Sequence, residues 1–307
     1  MSFANYLQNI INMSITILTP TYNRGQYLHR LYLSLLEQNT KDFTWLIVDD
    51  GSTDSTKELI ENYRKENKIK IEYFYKENGG KHTAINFGIN RVTSPIVGIV
   101  DSDDWLTSKA LETISKYWVI IKEKQNIAGI LGLSAFKNEE LIGTEFPQNN
   151  WEVSFTDIYL KHKVLGDKAV FFKTEVLRNY PFPEKQGIHF VFEATVWHEM
   201  SKKYNVLAVN DLLQYKEYTE DGITRNTYKK DYVKGLAFSF FHLVKNRTYP
   251  FAKYPHHFLW NYIHLAINSL LSGESYFNQL SLIDKIIYLM FYPRAYYTYS
   301  KLKDKVL

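Results

Sequence analysis

Ile96-Val97-Gly98-Ile99-Val100-Asp101-Ser102-Asp103-Asp104-Trp105 is the stretch on which the reading of this chain turns. An apolar, mostly β-branched run has the composition of a strand buried on both faces. The carboxylates that follow at once have no place in such a core, so they mark the strand's carboxyl end. Along an extended backbone, side chains two apart share a side, which puts Asp101 and Asp103 together, able to share a divalent cation. Hard carboxylate oxygens favour Mg²⁺ or Mn²⁺. A helix cap would account for one aspartate of the three and leave the others unexplained.

Upstream, residues 15–18, 45–48 and 69–75 are further β-branched and aromatic runs. Between them Leu28, Leu31, Leu35 and Leu36, then Leu59, Ile60 and Tyr63, repeat at helical spacing. Strand, helix, strand, helix predicts an α/β fold: a Rossmann-like, mostly parallel central sheet flanked by helices, with its ligand crevice at the carboxyl ends of the strands. Asp49-Asp50-Gly51-Ser52-Thr53-Asp54 falls at one such end. Thr53 or Asp54 suits the cap of the next helix, whereas adjacent Asp49 and Asp50 repel one another and read as acceptors for a ligand or a cation. The first strand runs into Thr19-Pro20-Thr21-Tyr22-Asn23-Arg24. With no Gly-x-Gly-x-x-Gly, that turn is no dinucleotide cradle, and it offers hydroxyls, an amide and a guanidinium to a nucleoside. In Asn78-Gly79-Gly80-Lys81-His82 the glycine pair allows a tight turn and sets Lys81 at a helix start, where an ammonium suits a phosphate.

Beyond residue 125 the pattern is less regular, and mixed short strands and helices are expected. From Tyr232 the chain reads as helical and aromatic. No run reaches the ~18 to 20 apolar residues of a spanning helix, because Asn261, His264 and Asn268, then Asp284 and Lys285, interrupt. Across 307 residues the hydrophobic fraction of 45% and charged fraction of 23% are those of an ordinary globular protein, and the aromatic fraction of 16% suits both core packing and sugar stacking. A net charge of +4 with interspersed Lys and Arg argues against nucleic acid as a partner. The absence of cysteine excludes disulfides and thiolate metal sites and fits a reducing compartment. Residues 1–13 lack the basic start and long apolar run of a secretory leader, so a cytoplasmic location is expected. The C-terminal helices, ending in Lys301, Lys303 and Lys305, suit a peripheral place on the inner membrane face; packing within the protein or against a second copy in an oligomer is the alternative.

Taken in order, Thr19-Pro20-Thr21-Tyr22-Asn23-Arg24, Val48-Asp49-Asp50-Gly51-Ser52-Thr53-Asp54, Asn78-Gly79-Gly80 and Asp101-Ser102-Asp103-Asp104 resemble glycosyltransferase family 2, over residues 13–110 and more loosely to 225. The resemblance implies the GT-A fold, an inverting metal-dependent hexosyl or related transfer, a nucleotide-sugar donor, here read as UDP-linked, and Mn²⁺ or Mg²⁺. The acceptor would be a glycan or a lipid-linked molecule, as in surface polysaccharide assembly. Thr19, Tyr22, Arg24 and Asp50 would hold the nucleoside, Asp101 would lie near the ribose and metal, and Asp103 would be the principal metal ligand. The implied domains are a nucleotide-sugar-binding and catalytic GT-A domain over 1–228 and a helical, aromatic-rich extension over 229–307.

Family members usually draw the acceptor's base from a downstream acidic pair. The matching stretch, His189-Phe190-Val191-Phe192-Glu193-Ala194-Thr195-Val196-Trp197, keeps a glutamate but has alanine after it. Glu193 is therefore the candidate base, with Asp167 the second choice for base or acceptor contact. If the stretch is helical, His189 and Glu193 share a face at i and i+4. The stretch from Glu217 to Arg225 reads as a loop, either a plain surface loop or one that would close over a diphosphate through Arg225. Two other readings compete: a catalytically inactive sugar-nucleotide- or glycan-binding relative, favoured by Ala194, and a receiver-like signalling module. The latter would begin at the strand before Asp49-Asp50, whereas here a complete strand and helix precede it.

Overall fold

Ile15–Thr21 (β1) and Phe43–Asp49 (β2) lie side by side in parallel, from Ile15 opposite Phe43 to Thr21 opposite Asp49, and every side chain in both is buried. The computed structural model describes residues 14–217 and 229–305. Between these strands Gly25–Leu36 (α1) buries Leu28, Leu31, Tyr32 and Leu35, one face at helical spacing. After β2, Thr56–Glu66 (α2) buries Ile60 and Tyr63. The rings of Tyr32 and Tyr63 stack with centroids 3.9 Å apart, and Trp45 lies 6.1 Å from Tyr32, so an aromatic layer fills the space between helices and sheet.

Lys70–Tyr75 (β3) extends the sheet in parallel beyond β2; after Lys81–Ile89 (α3), Ile96–Ile99 (β4) adds in parallel on the other side of β1. The remaining sheet elements are Trp105–Leu106 (β5), Ile127–Ala135 (β6), Trp151–Ser154 (β7), Lys168–Lys173 (β8) and Asn205–Tyr215 (β9). Ala110–Ile121 (α4), Phe155–Leu160 (α5) and Thr174–Arg178 (α6) connect them. The order is β3-β2-β1-β4-β8-β6-β9-β5, with β7 on β9. The first four strands are parallel as expected; β8 enters antiparallel between β4 and β6, and β6 pairs parallel with β9. The less regular half supplies the short strands and helices expected, and with them the two longest strands, β6 and β9. In β6 all nine residues are buried, so it shows no alternation, and Gly129 and Gly132 dilute the apolar run by which a buried strand is recognised.

The described residues divide into two compact units. The first holds the sheet: residues up to Asn78, Ala84–Pro181 and 203–217. The second holds Gly79–Thr83, Phe182–Lys202 and 229–305. It contains Ala194–Met200 (α7), Lys230–Lys245 (α8), Pro255–Ser272 (α9) and Leu282–Leu302 (α10). Helix α9 packs on both α8 and α10. Ring pairs fasten this unit, among them Phe190 with Tyr232 at 4.4 Å and Phe241 with Tyr276 at 4.9 Å, so much of its aromatic content is core. At the start of α10 the Ser281 hydroxyl accepts from the Asp284 N–H at 3.2 Å, and the Tyr262 hydroxyl donates to Asp284 Oδ1 at 2.7 Å. Among the described residues no helix is long and apolar enough to cross a membrane.

Candidate functional site

Because β1, β2 and β4 run parallel, their carboxyl ends open on one edge of the sheet, and each delivers a sequence motif there. The β1 and β2 turns are laced together. Asn23, at φ +52°, accepts through Oδ1 from the N–H groups of Thr53 (2.7 Å) and Asp54 (3.3 Å), while its own N–H donates to Ser52 Oγ at 2.8 Å. The Asp54 carboxylate accepts from the N–H of Thr56 at 3.0 Å and of Gly25 at 3.2 Å, so one acid serves the first turns of α1 and α2. Burial alone would raise its pKa; the hydrogen bonds from Thr56 and Gly25 outweigh burial and hold it below the usual aspartate range.

The adjacent aspartates behave differently, which corrects the expectation that both await a ligand. Asp49 is 1% exposed and closes its own turn: Oδ1 accepts from the Ser52 N–H at 2.7 Å and Oδ2 from the Tyr73 hydroxyl at 2.7 Å. Asp50, 2% exposed, receives Lys76 Nζ on Oδ1 at 2.6 Å, and its carbonyl accepts from Asn78 Nδ2 at 2.9 Å. Gly51 makes the turn possible: φ is +92°, and a Cβ there would stand 2.9 Å from the Asn78 nitrogen. Of the β1 residues, Thr19 is fully buried, its Oγ1 accepting from the Trp45 indole N–H at 3.0 Å, while Tyr22 is 48% exposed.

At the end of β4 the Asp104 N–H donates to the Asp101 carbonyl at 3.1 Å. The carboxylates thus converge through a tight turn and not through strand alternation, and the turn brings in the third as well. One oxygen each from Asp101, Asp103 and Asp104 lie within 4.8 Å of one another. Asp104 is buried, accepting from Gln214 Nε2 at 2.6 Å and paired with Lys216 Nζ at 3.0 Å. Burial pushes the Asp104 carboxyl up; Lys216 pulls against this, and the charges of Asp101 and Asp103 add to it. Burial would lower Lys216, but Asp104, Asp101 and Asp167 together hold its ammonium above the usual lysine range. Asp103 Oδ2 receives Arg24 Nη1 at 3.1 Å, and the Asp103 carbonyl receives Arg30 Nη2 at 2.7 Å. Arg30 lies over the Trp105 ring at 3.9 Å and pairs with Glu217. Half-buried Asp101 and Asp103 supply hard oxygens close enough together to fit Mg²⁺ or Mn²⁺, although Asp103 already receives Arg24, and buried Asp104 is held by Gln214 and Lys216.

Lys216 Nζ also lies 3.6 Å from Asp167 Oδ2, tying that 56% exposed acid to the acidic turn. Sequence reasoning missed Lys216, Gln214, Lys76 and Arg30. A signal existed for Gln214, a polar residue among apolar neighbours at the end of β9; Lys76 and Arg30 look like ordinary solvated cations until the fold closes.

In the second unit, Lys81 Nζ pairs with Glu193 Oε1 at 2.7 Å, which joins two residues the sequence assigned to separate tasks. Gly80 holds φ +95°, and a Cβ there would meet the His189 carbonyl at 2.1 Å, so the glycine turn lies directly on the segment that leads to Glu193. Residues 189–192 are not helical and α7 starts at Ala194, so the i, i+4 relation of His189 to Glu193 does not form. Arg225 lies outside the described residues.

Residues 16–138 match the family model described as Glycosyl transferase family 2. Over 224 residues, 71% of this chain and 69% of the relative, the sequence is 27% identical to the GalNAc(5)-diNAcBac-PP-undecaprenol beta-1,3-glucosyltransferase of Campylobacter jejuni. Among solved structures, S. aureus TarS matches with a TM-score of 0.63 at 18% identity, covering 95% of this chain and 54% of that one. TarS 1-349 in complex with UDP-GlcNAc matches with a TM-score of 0.57 at 20% identity, over 92% of this chain and 81% of that one. At these identities the structural likeness speaks to the fold, a mixed α/β architecture of the GT-A type.

Proposed function

From the premise that this chain carries a family 2 glycosyltransferase domain of the GT-A fold, we propose that it moves a hexosyl or related sugar from a UDP-linked donor to a lipid-linked or polysaccharide acceptor, with inversion at the anomeric carbon. The observation that carries this reading is the acidic turn Asp101-Ser102-Asp103-Asp104, set at the carboxyl end of a central parallel strand on the same sheet edge as Asp50. The UDP-linked donor is supported by the UDP-GlcNAc complex of TarS, and the lipid-linked acceptor by the name of the Campylobacter relative.

In this reading Tyr22, Arg24 and Asp50 meet the nucleoside, and buried Thr19 lies in the strand that leads to the turn carrying Tyr22 and Arg24. A divalent cation, Mn²⁺ or Mg²⁺, held by Asp101 and Asp103 would neutralise charge on the departing diphosphate. The acceptor oxygen attacks the anomeric carbon from the face opposite the diphosphate; the new C–O bond forms as the bond to the leaving oxygen breaks. We assign the acceptor's proton to the Glu193 carboxylate, with Asp167 as the second acid on the acceptor. Lys81 and Arg225 are the cations assigned to the diphosphate. A nucleotide-sugar donor and a chain without cysteine fit a cytoplasmic location.

Transfer assays over a panel of UDP-sugars, with and without Mn²⁺, test the reading. Asp103→Ala should lower metal-dependent transfer by roughly 10² to 10³-fold, the usual scale when a group stabilising developing charge is lost. An Asp103→Ala protein with parental turnover would remove the metal assignment. Tight UDP-sugar binding with neither transfer nor donor hydrolysis would instead identify an inactive binding relative.

A further inference from the structure

Helix α10 carries two faces, and among the described residues only one of them is covered. Asp284, Tyr288 and Ala295 are buried, on the side that packs against α9. Leu282, Ile286, Leu289, Met290, Tyr296 and Tyr297 are exposed, Leu282 to 75% and Met290 to 69%. At ~100° per residue these side chains, with exposed Ile283, fall in one arc of roughly 140° that runs the length of the helix opposite the buried face. Pro293 lies near the middle of the arc.

Charge frames the arc. Lys285 stands at one edge; Arg294 and Lys301 stand at the other, with Lys301 Nζ 4.2 Å above the Tyr297 ring. Lys303 and Lys305 follow in the short 3₁₀ turn beyond the helix, with one exposed acid, Asp304, between them. The helix holds one carboxylate, Asp284, which is buried and accepts from Tyr262 and Ser281. If two copies met through this arc, cationic edges would face cationic edges in either orientation, with no exposed acid on the helix to match them. A surface of anionic headgroups complements the pattern instead. Aliphatic side chains enter the acyl boundary, Tyr296 and Tyr297 sit at headgroup level, and the flanking cations reach lipid phosphates.

We propose that α10 is an in-plane anchor that seats this chain on an anionic lipid surface. The inference goes beyond the transferase reading and does not depend on it, because lipid binding can be measured with no donor or acceptor present.

The full chain is tested by co-sedimentation with vesicles of phosphatidylcholine alone and of phosphatidylcholine with phosphatidylglycerol, alongside light scattering without lipid. Preferential binding to the anionic vesicles is expected. Ile286→Glu with Met290→Glu should weaken that binding more than tenfold. Arg294→Gln and Lys301→Gln change exposed side chains and should leave the melting temperature unchanged while weakening binding roughly fivefold for each cation removed. Failure of the parent to bind anionic vesicles overturns the proposal, as does parental binding by the charge variant. A dimer without lipid that Ile286→Glu with Met290→Glu turns into a monomer would also overturn it, by identifying the face as an interface between copies.

Discussion

Asp49 and Asp50 are neighbours in the chain with different tasks. Asp49 spends both oxygens on Ser52 and Tyr73, whereas Asp50 meets Lys76 at the edge of the sheet where a donor would lie. Asp50→Ala should therefore weaken UDP binding by about 1 to 3 kcal/mol, the cost of leaving a buried polar partner unsatisfied; equal affinities by titration calorimetry would remove Asp50 from the nucleoside site. For the base, Glu193→Gln keeps shape and hydrogen bonding while removing basicity, and should slow transfer by roughly 10² to 10⁴-fold with donor affinity retained. If Glu193→Gln transfers at the parental rate and Asp167→Asn does not, the proton goes to Asp167. The sequence shows such acids because carboxylates directly after an apolar run are chemically out of place. Their partners Lys76, Arg30 and Lys216 come from distant segments and carry no local mark.

At the scale of elements, turns decide more than strands. The carboxylates after β4 converge because the chain turns at Asp101-Ser102-Asp103-Asp104, and one Asp54 carboxylate anchors both α1 and α2. Gly80 is the sharpest case, combining a left-handed φ with a carbonyl where a Cβ would go. Gly187 has a similar φ of +78° and nothing within 4 Å of a Cβ. Gly187→Ala should therefore cost about 1 kcal/mol of backbone strain, and Gly80→Ala clearly more, because the His189 backbone must move. Urea denaturation of both variants checks the order; equal losses would mean that the contact with His189 is not rigid. The Gly79-Gly80 turn was legible in sequence, but the segment it packs against, more than a hundred residues on, was not.

For the whole molecule, the second unit carries a pH liability. Burial depresses His198 to about 3 and His242 to about 4, with His257 and Lys245 respectively adding to the effect; burial also lowers His257 and His264. The folded unit thus keeps these rings neutral at pH values where the unfolded chain, with pKa near 6.5, binds protons. Fewer protons in the folded state mean that stability is fully present above about pH 6.5 and falls as pH drops toward the folded values, by up to about 1.4 kcal/mol per pH unit for each such histidine. The helical signal should therefore melt at lower urea at about pH 5 than at about pH 7.5, and His198→Gln or His198→Phe should flatten the dependence. An unchanged midpoint across that range would show that the rings are not held neutral.

By itself the sequence determined the parallel βα half of the fold, the family resemblance and the acids at the strand ends. Those features are local: periodicity, composition and a carboxylate placed against an apolar run are properties of a few consecutive residues. Tertiary structure alone decided that the irregular half adds β8, β6 and β9 to the same sheet; β6, buried throughout, lacks the alternation by which strands are read. It likewise decided which side chains engage Asp49 and Asp104, and that Lys81 meets Glu193. Each of these depends on side chains that packing brings together from far along the chain, and local pattern carries no information about such pairs.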